Sequence, residues 1–164
     1  MQRLKSCHPC ALLCWETFFG NFAPSRLCVK FLKMKSRPRI GEVGELDIPT
    51  DMSHVVEFHG DGMPAVVSTP NIIQFLERTA RHTLAPHLEA DERSVGLEID
   101  IRHLAPTPIG QTIYCRAQVI AVDGGKVQFQ IEARDAHEVI VRGLHKRAVI
   151  RTESFTKRVK AKGG

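Results

Sequence analysis

The chain has 164 residues, 43% hydrophobic and 25% charged, with 23 Lys+Arg against 18 Asp+Glu and a net charge of +5. That length and composition fit one soluble globular domain able to bury a core without a disulfide or metal staple, and exclude a disordered or fibrous chain. No apolar run approaches the ~18 residues that a membrane-spanning helix needs, so a membrane partner is not expected.

The positive charge sits at the ends. Residues 1–40 hold eight Lys/Arg and one acid, Glu16, and residues 151–164 hold five bases and Glu153, around a net acidic middle. Basic tails on an acidic body argue against nucleic acid as the partner. Residues 1–50 read as a poorly ordered N-terminal extension, with Met34 as an alternative start. Cys7-His8-Pro9-Cys10, with Cys14, offers zinc-type ligands, but no second C-x-x-C or H-x3-5-H half follows, so no metal site is expected. Glu16, Thr17, Gly20 and Asn21 interrupt the apolar stretch that a secretory signal would need, and reduced thiols suit the cytoplasm. Lys30–Pro49, with Pro38, Gly41, Gly44 and Pro49, reads as a linker. The ordered domain is expected over 51–158, with a basic tail at 159–164.

Val55, Val56 and Phe58 suggest a short strand ending at Gly60-Asp61-Gly62. The period then changes. Thr69-Pro70 is a helix start, a hydroxyl at the N-cap and proline at the first helical position. Ile72, Leu76, Ala80 and Leu84, spaced by four, make an apolar stripe, and Pro86 ends the helix near Ala85. Beyond it the period is two. Val95, Leu97, Ile99, Ile101 and His103 fall on one face of a strand. Ile113, Cys115, Ala117 and Val119 follow on a second, and Val127, Phe129, Ile131 and Ala133 on a third. Asp123-Gly124-Gly125 is a tight-hairpin signal, and Asp135-Ala136-His137 turns into a last strand, Val139–Ile150. One long helix with an antiparallel meander is an α+β arrangement, and its uncovered sheet edges argue for a homodimer.

Three residues could carry chemistry. His103, in phase with the apolar face and at the end of its strand, is either a hydrogen-bonded rim histidine or a base. Glu77, mid-helix beside the stripe, is either a solvated surface acid or a catalytic one. Thr69 is either a cap or a nucleophile beside the free N–H groups and positive dipole end of a helix, although Pro70 removes one donor there. There is no G-x-S-x-G elbow, phosphate loop or H-E-x-x-H helix.

The run Val67-Ser68-Thr69-Pro70-Asn71-Ile72-Ile73-Gln74-Phe75-Leu76-Glu77 resembles the helix start of the fluoroacetyl-CoA thioesterase family, a branch of the hotdog-fold acyl-CoA thioesterases. The family's spacing of threonine, glutamate and histidine is met by Thr69, Glu77 and His103, and its strand glycine by Gly96. His103-Leu104-Ala105-Pro106-Thr107-Pro108-Ile109-Gly110 is similar to its H-x-A-x-T-P-x-G segment. Gly143-Leu144-His145-Lys146-Arg147-Ala148-Val149-Ile150 is similar to its G-x-H-x-R-A-V-I strand. The similarity spans about residues 53–158 and nothing before Met34.

The resemblance implies a hotdog fold, one long helix wrapped by a five- to six-stranded antiparallel sheet in a dimer or higher oligomer. It implies catalytic roles for Thr69, Glu77 and His103, substrate contacts at Gly96, Met63 and Asn71, an acyl-CoA substrate and no cofactor. Met63–Ser68 lacks the aromatic side chains that the fluoroacetyl-specific enzyme carries before its threonine, which implies a different acyl group. Arg102, Lys146 and Arg147 are candidates for the CoA phosphates. Eight helical residues rise about 12 Å and turn by ~80°, so Thr69 and Glu77 cannot touch within one regular helix. Either Thr69 folds back from the preceding loop, or the residues meet across a dimer interface, where hotdog enzymes build their sites. A non-catalytic acyl-CoA-binding module is the alternative reading. A hotdog dehydratase is disfavoured because no acid–histidine pair has the short spacing it uses.

Overall fold

The computed structural model describes residues 34–163 apart from His59 and Asp61. The cysteine-rich segment 1–33 and the expectations placed on it lie outside the described residues.

Five strands, β1 (Val43–Pro49), β2 (Glu92–His103), β3 (Thr112–Asp123), β4 (Lys126–Arg134) and β5 (Val139–Arg151), form one antiparallel sheet in the order β1-β3-β4-β5-β2. The long helix α1 (Thr69–Leu84) packs on it, and a short exposed helix α2 (Thr152–Lys160) follows β5. The four-residue stripe is the reason: Ile72, Leu76, Ala80 and Leu84 are fully buried against the inward residues of β3 and β4, among them Ile113, Val119, Phe129 and Ile131. The period-two reading of β3 and β4 therefore holds residue for residue, and the Asp123-Gly124-Gly125 turn closes their hairpin with Gly124 at φ +54°.

Several expectations fail. The linker read over Lys30–Pro49 is, from Val43 onward, the edge strand β1, so the sheet begins before residue 51. Leu46 and Ile48 face inward while Val43, Glu45 and Asp47 face out, and two apolar residues among Gly, Pro and acids give a weak signal. Met34 is already buried in the core, and the Arg37 guanidinium donates to the Val122 carbonyl at 2.7 Å. Val55–Phe58 is not a strand, since only an isolated bridge joins Val55 to Val67. The last four strands are also no simple meander: β2 pairs with β5, on the far side of the sheet from β3. The basic tail, finally, begins inside α2, whose residues are all exposed.

β2 is an outer strand with a register shift between Gly96 and Glu98, where Leu97 has no partner residue on β5. Such a bulge reverses the alternation of side chains. Before it Glu92 and Ser94 are the buried residues; after it Ile99 and Ile101 pack on the core. The expectation that Val95, Leu97 and His103 share one face fails at this point, and Leu97 is half exposed.

Candidate active site

The segment that leads into α1 is laced by backbone hydrogen bonds to the loop after β2 and to His54. Val67 N–H donates to the Thr107 carbonyl at 2.9 Å, Ile109 N–H to Ala65 at 3.1 Å, and Ser68 N–H to His54 at 3.0 Å. The Thr107 hydroxyl is buried at Asp135, whose carboxylate also accepts the N–H groups of His137 and Glu138. This lacing brings Thr69 Oγ1 within 2.9 Å of His103 Nδ1. Both side chains are exposed. Ser68, not Thr69, is the N-cap, and Thr69 occupies the first helical position, where its hydroxyl is engaged by the imidazole rather than by the helix. A fold-back of Thr69 from the preceding loop is thereby excluded.

Glu77 lies two turns further along α1 in different surroundings. Its Oε1 is 3.4 Å from Arg147 Nη1 and 3.5 Å from His145 Nε2, on the buried face of β5. Arg147 is 4% exposed and every arm of its guanidinium is used. Nε donates to the Ser94 hydroxyl at 3.1 Å, Nη2 to the Ser94 carbonyl at 2.9 Å, and Nη1 toward Glu77 and His145. His145 Nδ1 lies 2.8 Å from the Glu98 carbonyl and so carries the ring proton, leaving Nε2 to accept from Arg147 at 3.0 Å. Burial chiefly, and the Arg147 charge with it, lower the His145 pKa against the opposing effects of Glu98 and Glu77, which keeps the ring neutral. A neutral ring with Nε2 unprotonated gives Glu77 a contact and not an ion pair; Arg147 supplies the charge.

Gly96 is the space for Glu77. A Cβ there would run into Glu77 Oε1 and stand 3.4 Å from His145 Cε1. Gly143 serves the same strand pair, since a Cβ there would collide with the Asp100 carbonyl and Ile101 across the ladder. The G-x-H-x-R pattern is thus one face of β5: a close approach, a neutral histidine and a buried guanidinium under the Glu77 carboxylate. Its period-two spacing is the signal that the sequence offers for this face.

Among the described residues no hydrogen bond or ion pair joins Glu77 to Thr69 or His103. Gly96, beside Glu77, and His103, beside Thr69, are seven residues apart on β2, about 20 Å along a strand. The structure therefore brings together two of the three expected catalytic residues and holds the third elsewhere. Of the expected substrate contacts, Met63 is half exposed in the loop before α1, and Asn71 spends its side-chain amide on Ser68 Oγ at 2.8 Å. Of the phosphate candidates, Arg147 is buried, and Lys146 is paired with Glu98 at 2.7 Å. Among the described residues no group of three or more His, Cys, Asp or Glu is placed to hold a metal ion, and no helix is long and apolar enough to cross a membrane.

Residues 50–153 match the family model described as fluoroacetyl-CoA-specific thioesterase. The chain belongs to this family. A fluoroacetyl-CoA thioesterase of Streptantibioticus cattleyicolor is 34% identical over 99 residues, covering 60% of this chain and 71% of that protein. The crystal structure of a mutant of the fluoroacetyl-CoA-specific thioesterase superposes with a TM-score of 0.73 at 30% identity, covering 78% of this chain and 99% of the other. A hot-dog-like protein from Thermanaerovibrio acidaminovorans gives 0.70 at 25% identity, over 76% and 93% of the two chains. The fold is the hotdog fold, and the family is one of thioester hydrolases. Family membership was legible from the motif spacing, and the matched segment contains Thr69, Glu77, His103 and the G-x-H-x-R strand.

Proposed function

We propose that this chain hydrolyses an acyl-CoA thioester to a carboxylate and free CoA, with Thr69, Glu77 and His103 assembled in a site shared by two copies of the chain. The 2.9 Å approach of Thr69 Oγ1 to His103 Nδ1 carries the reading. It is a hydroxyl on an imidazole at a helix N-terminus, which is what acyl transfer to an oxygen nucleophile requires.

His103 Nδ1 accepts the Thr69 proton as Oγ1 attacks the thioester carbonyl. The oxyanion forms beside the positive end of α1, where the Asn71 N–H lies among the first-turn donors that have no intrahelical partner. Asn71 thus contributes through its backbone. Collapse expels the CoA thiolate, which takes the proton from the imidazolium, and water then cleaves the acyl-threonine with His103 again as base.

Glu77 of a second copy stabilises the imidazolium. The unpaired edge of β2 supports this, because two such edges meeting antiparallel would bring the Gly96–Glu77 end of one copy to the His103 end of the other. Gly96 and Met63 would then border the acyl group, which differs from fluoroacetyl because Met63–Ser68 offers no aromatic lid.

The test is thiol release from a panel of short, branched, aromatic and long acyl-CoAs. At least one should turn over, and His103→Ala should lower kcat by ~10²–10⁴-fold while the protein stays folded. Measurable CoA binding with no thiol released from any substrate would leave a binding module instead.

A further inference from the structure

Helix α1 carries two guanidinium groups, Arg78 and Arg81, that form no ion pair among the described residues. Arg78 and Arg81 are exposed, and among the described residues neither side chain makes a hydrogen bond or an ion pair. Both line a cleft of about 740 Å³ between α1 and β1 that also contains Glu77 and Arg147. Both line, in addition, an adjoining cleft of about 870 Å³ toward the C-terminal end of α1, which His82 and Arg93 border as well. They stand on the wall common to the two spaces.

Arg81 is four residues beyond Glu77, one turn along the same helix face. Its charge reaches Arg147: burial is the main cause of the lowered Arg147 pKa, and Arg81 adds to it against the pull of Glu77. Three guanidinium groups thus line the cleft that holds the Glu77 carboxylate. The other acids nearby do not neutralise them. Asp47 lines the first cleft but forms no ion pair with either arginine, and the buried Glu92 carboxylate accepts the Glu89 N–H at 3.0 Å. Glu89 borders only the second cleft.

Unneutralised guanidinium groups one turn apart repel each other unless an anion sits between them, and their planar forks suit phosphate oxygens. We propose that Arg78 and Arg81 bind the phosphate groups of the CoA portion of the substrate, whose thioester end lies toward Glu77. This rests on the acyl-CoA reading above. It replaces Lys146 and Arg147, both already engaged, as the phosphate contacts.

The experiment uses the full chain with Arg78→Gln and Arg81→Gln, singly and together. Calorimetric titration with free CoA and with adenosine 3′,5′-bisphosphate reads binding without catalysis. Kinetics on one acyl-CoA and on the matching acyl-pantetheine, which has no phosphate, read the effect on turnover. The double variant should bind CoA and the bisphosphate at least ~10-fold more weakly, as loss of charge-assisted hydrogen bonds implies. Its KM for acyl-CoA should rise with little change in kcat, while acyl-pantetheine is handled as by the wild type. Added salt should raise the wild-type KM for acyl-CoA more than that of the variant.

Unchanged CoA binding would overturn the proposal. So would equal losses on the two substrates, which would mean that the arginines pair across subunits or support the fold. If the wild type turns over no acyl-CoA, the hydrolase reading fails, yet CoA binding that depends on the two arginines would still uphold the phosphate site. Turnover with no arginine dependence removes the phosphate site alone. The single variants carry the same comparison if the double variant is unstable.

Discussion

The rim around Thr69 and His103 and the floor beneath Glu77 are built on opposite terms. At the rim two exposed side chains make one hydrogen bond to each other, and backbone contacts from loops on either side position them. On the floor a buried arginine with five polar contacts, a neutral histidine and an absent side chain at Gly96 leave Glu77 little choice of position. The rim is open to solvent; the floor is fixed in charge and shape. The difference teaches that a hydroxyl–imidazole pair and a carboxylate of the same family motif can be held independently, on surfaces about 20 Å apart along one strand.

The sharpest way to break this comparison is complementation. His103→Ala and Glu77→Gln should each lower kcat by ~10²–10⁴-fold. Mixed in one preparation and allowed to exchange subunits, the two inactive variants should regain activity if the proposed site is shared, because a mixed dimer would then contain one site with both native residues. Activity that stays at the level of the separate variants would mean that rim and floor serve no common site. Double variants within one chain should cost little more than the worse single one, as groups acting as a unit do.

A smaller effect is expected at Gly96. Gly96→Ala should leave the fold intact while the new methyl group displaces the Glu77 carboxylate, lowering kcat by about 10-fold or more, since a 1 Å misplacement can cost as much as 10². A kcat within twofold of the wild type would show that Glu77 need not sit where the floor holds it.

Stability should respond to Arg147→Lys. An ammonium cannot reproduce the fork that reaches Ser94, Glu77 and His145 together, so the variant should lose about 1–3 kcal/mol in denaturant unfolding. The corresponding change at the rim, Thr69→Ala, should cost less than about 1 kcal/mol, because its partners remain solvated. Equal losses would erase the distinction between the two regions.

The smallest effect concerns pH. His145 has its folded pKa lowered, so the unfolded chain binds the proton more readily. Its contribution is complete above the ordinary imidazole value of about 6.5 and is lost as pH falls from there toward the folded value. His145→Gln should lower Tm at neutral pH but flatten its decline below about pH 6.5. An unchanged slope would mean that the floor carries no proton-linked stability.

These regions also differ in how openly the sequence declared them. The apolar stripe of α1 and the alternation in β3 and β4 were readable because every position in the pattern obeys it, and all are buried as the period requires. Thr69 and His103 were readable through spacing, and the structure brings them within hydrogen-bond distance. The floor was not. Arg147 looked like a surface cation because a lone arginine in an alternating strand carries no mark of the serine and glutamate that receive it. β1 was hidden for a different reason: an edge strand with one wet face needs only Leu46 and Ile48 to hold it, too few to establish a period. The pairing of β2 with β5 is a long-range choice that no local pattern encodes.

The unpartnered Leu97 has a last consequence, one of parity. Gly96 and His103 are an odd number of residues apart, so on a regular strand they would point to opposite sides of the sheet. Both point to α1, and the extra residue makes that so. Substitution at Leu97 should therefore be cheap, whereas removing the residue should be ruinous: a single-codon deletion would turn either the glycine or the histidine end of the strand inside out. Descendants of this chain can drift in letters here but not in length.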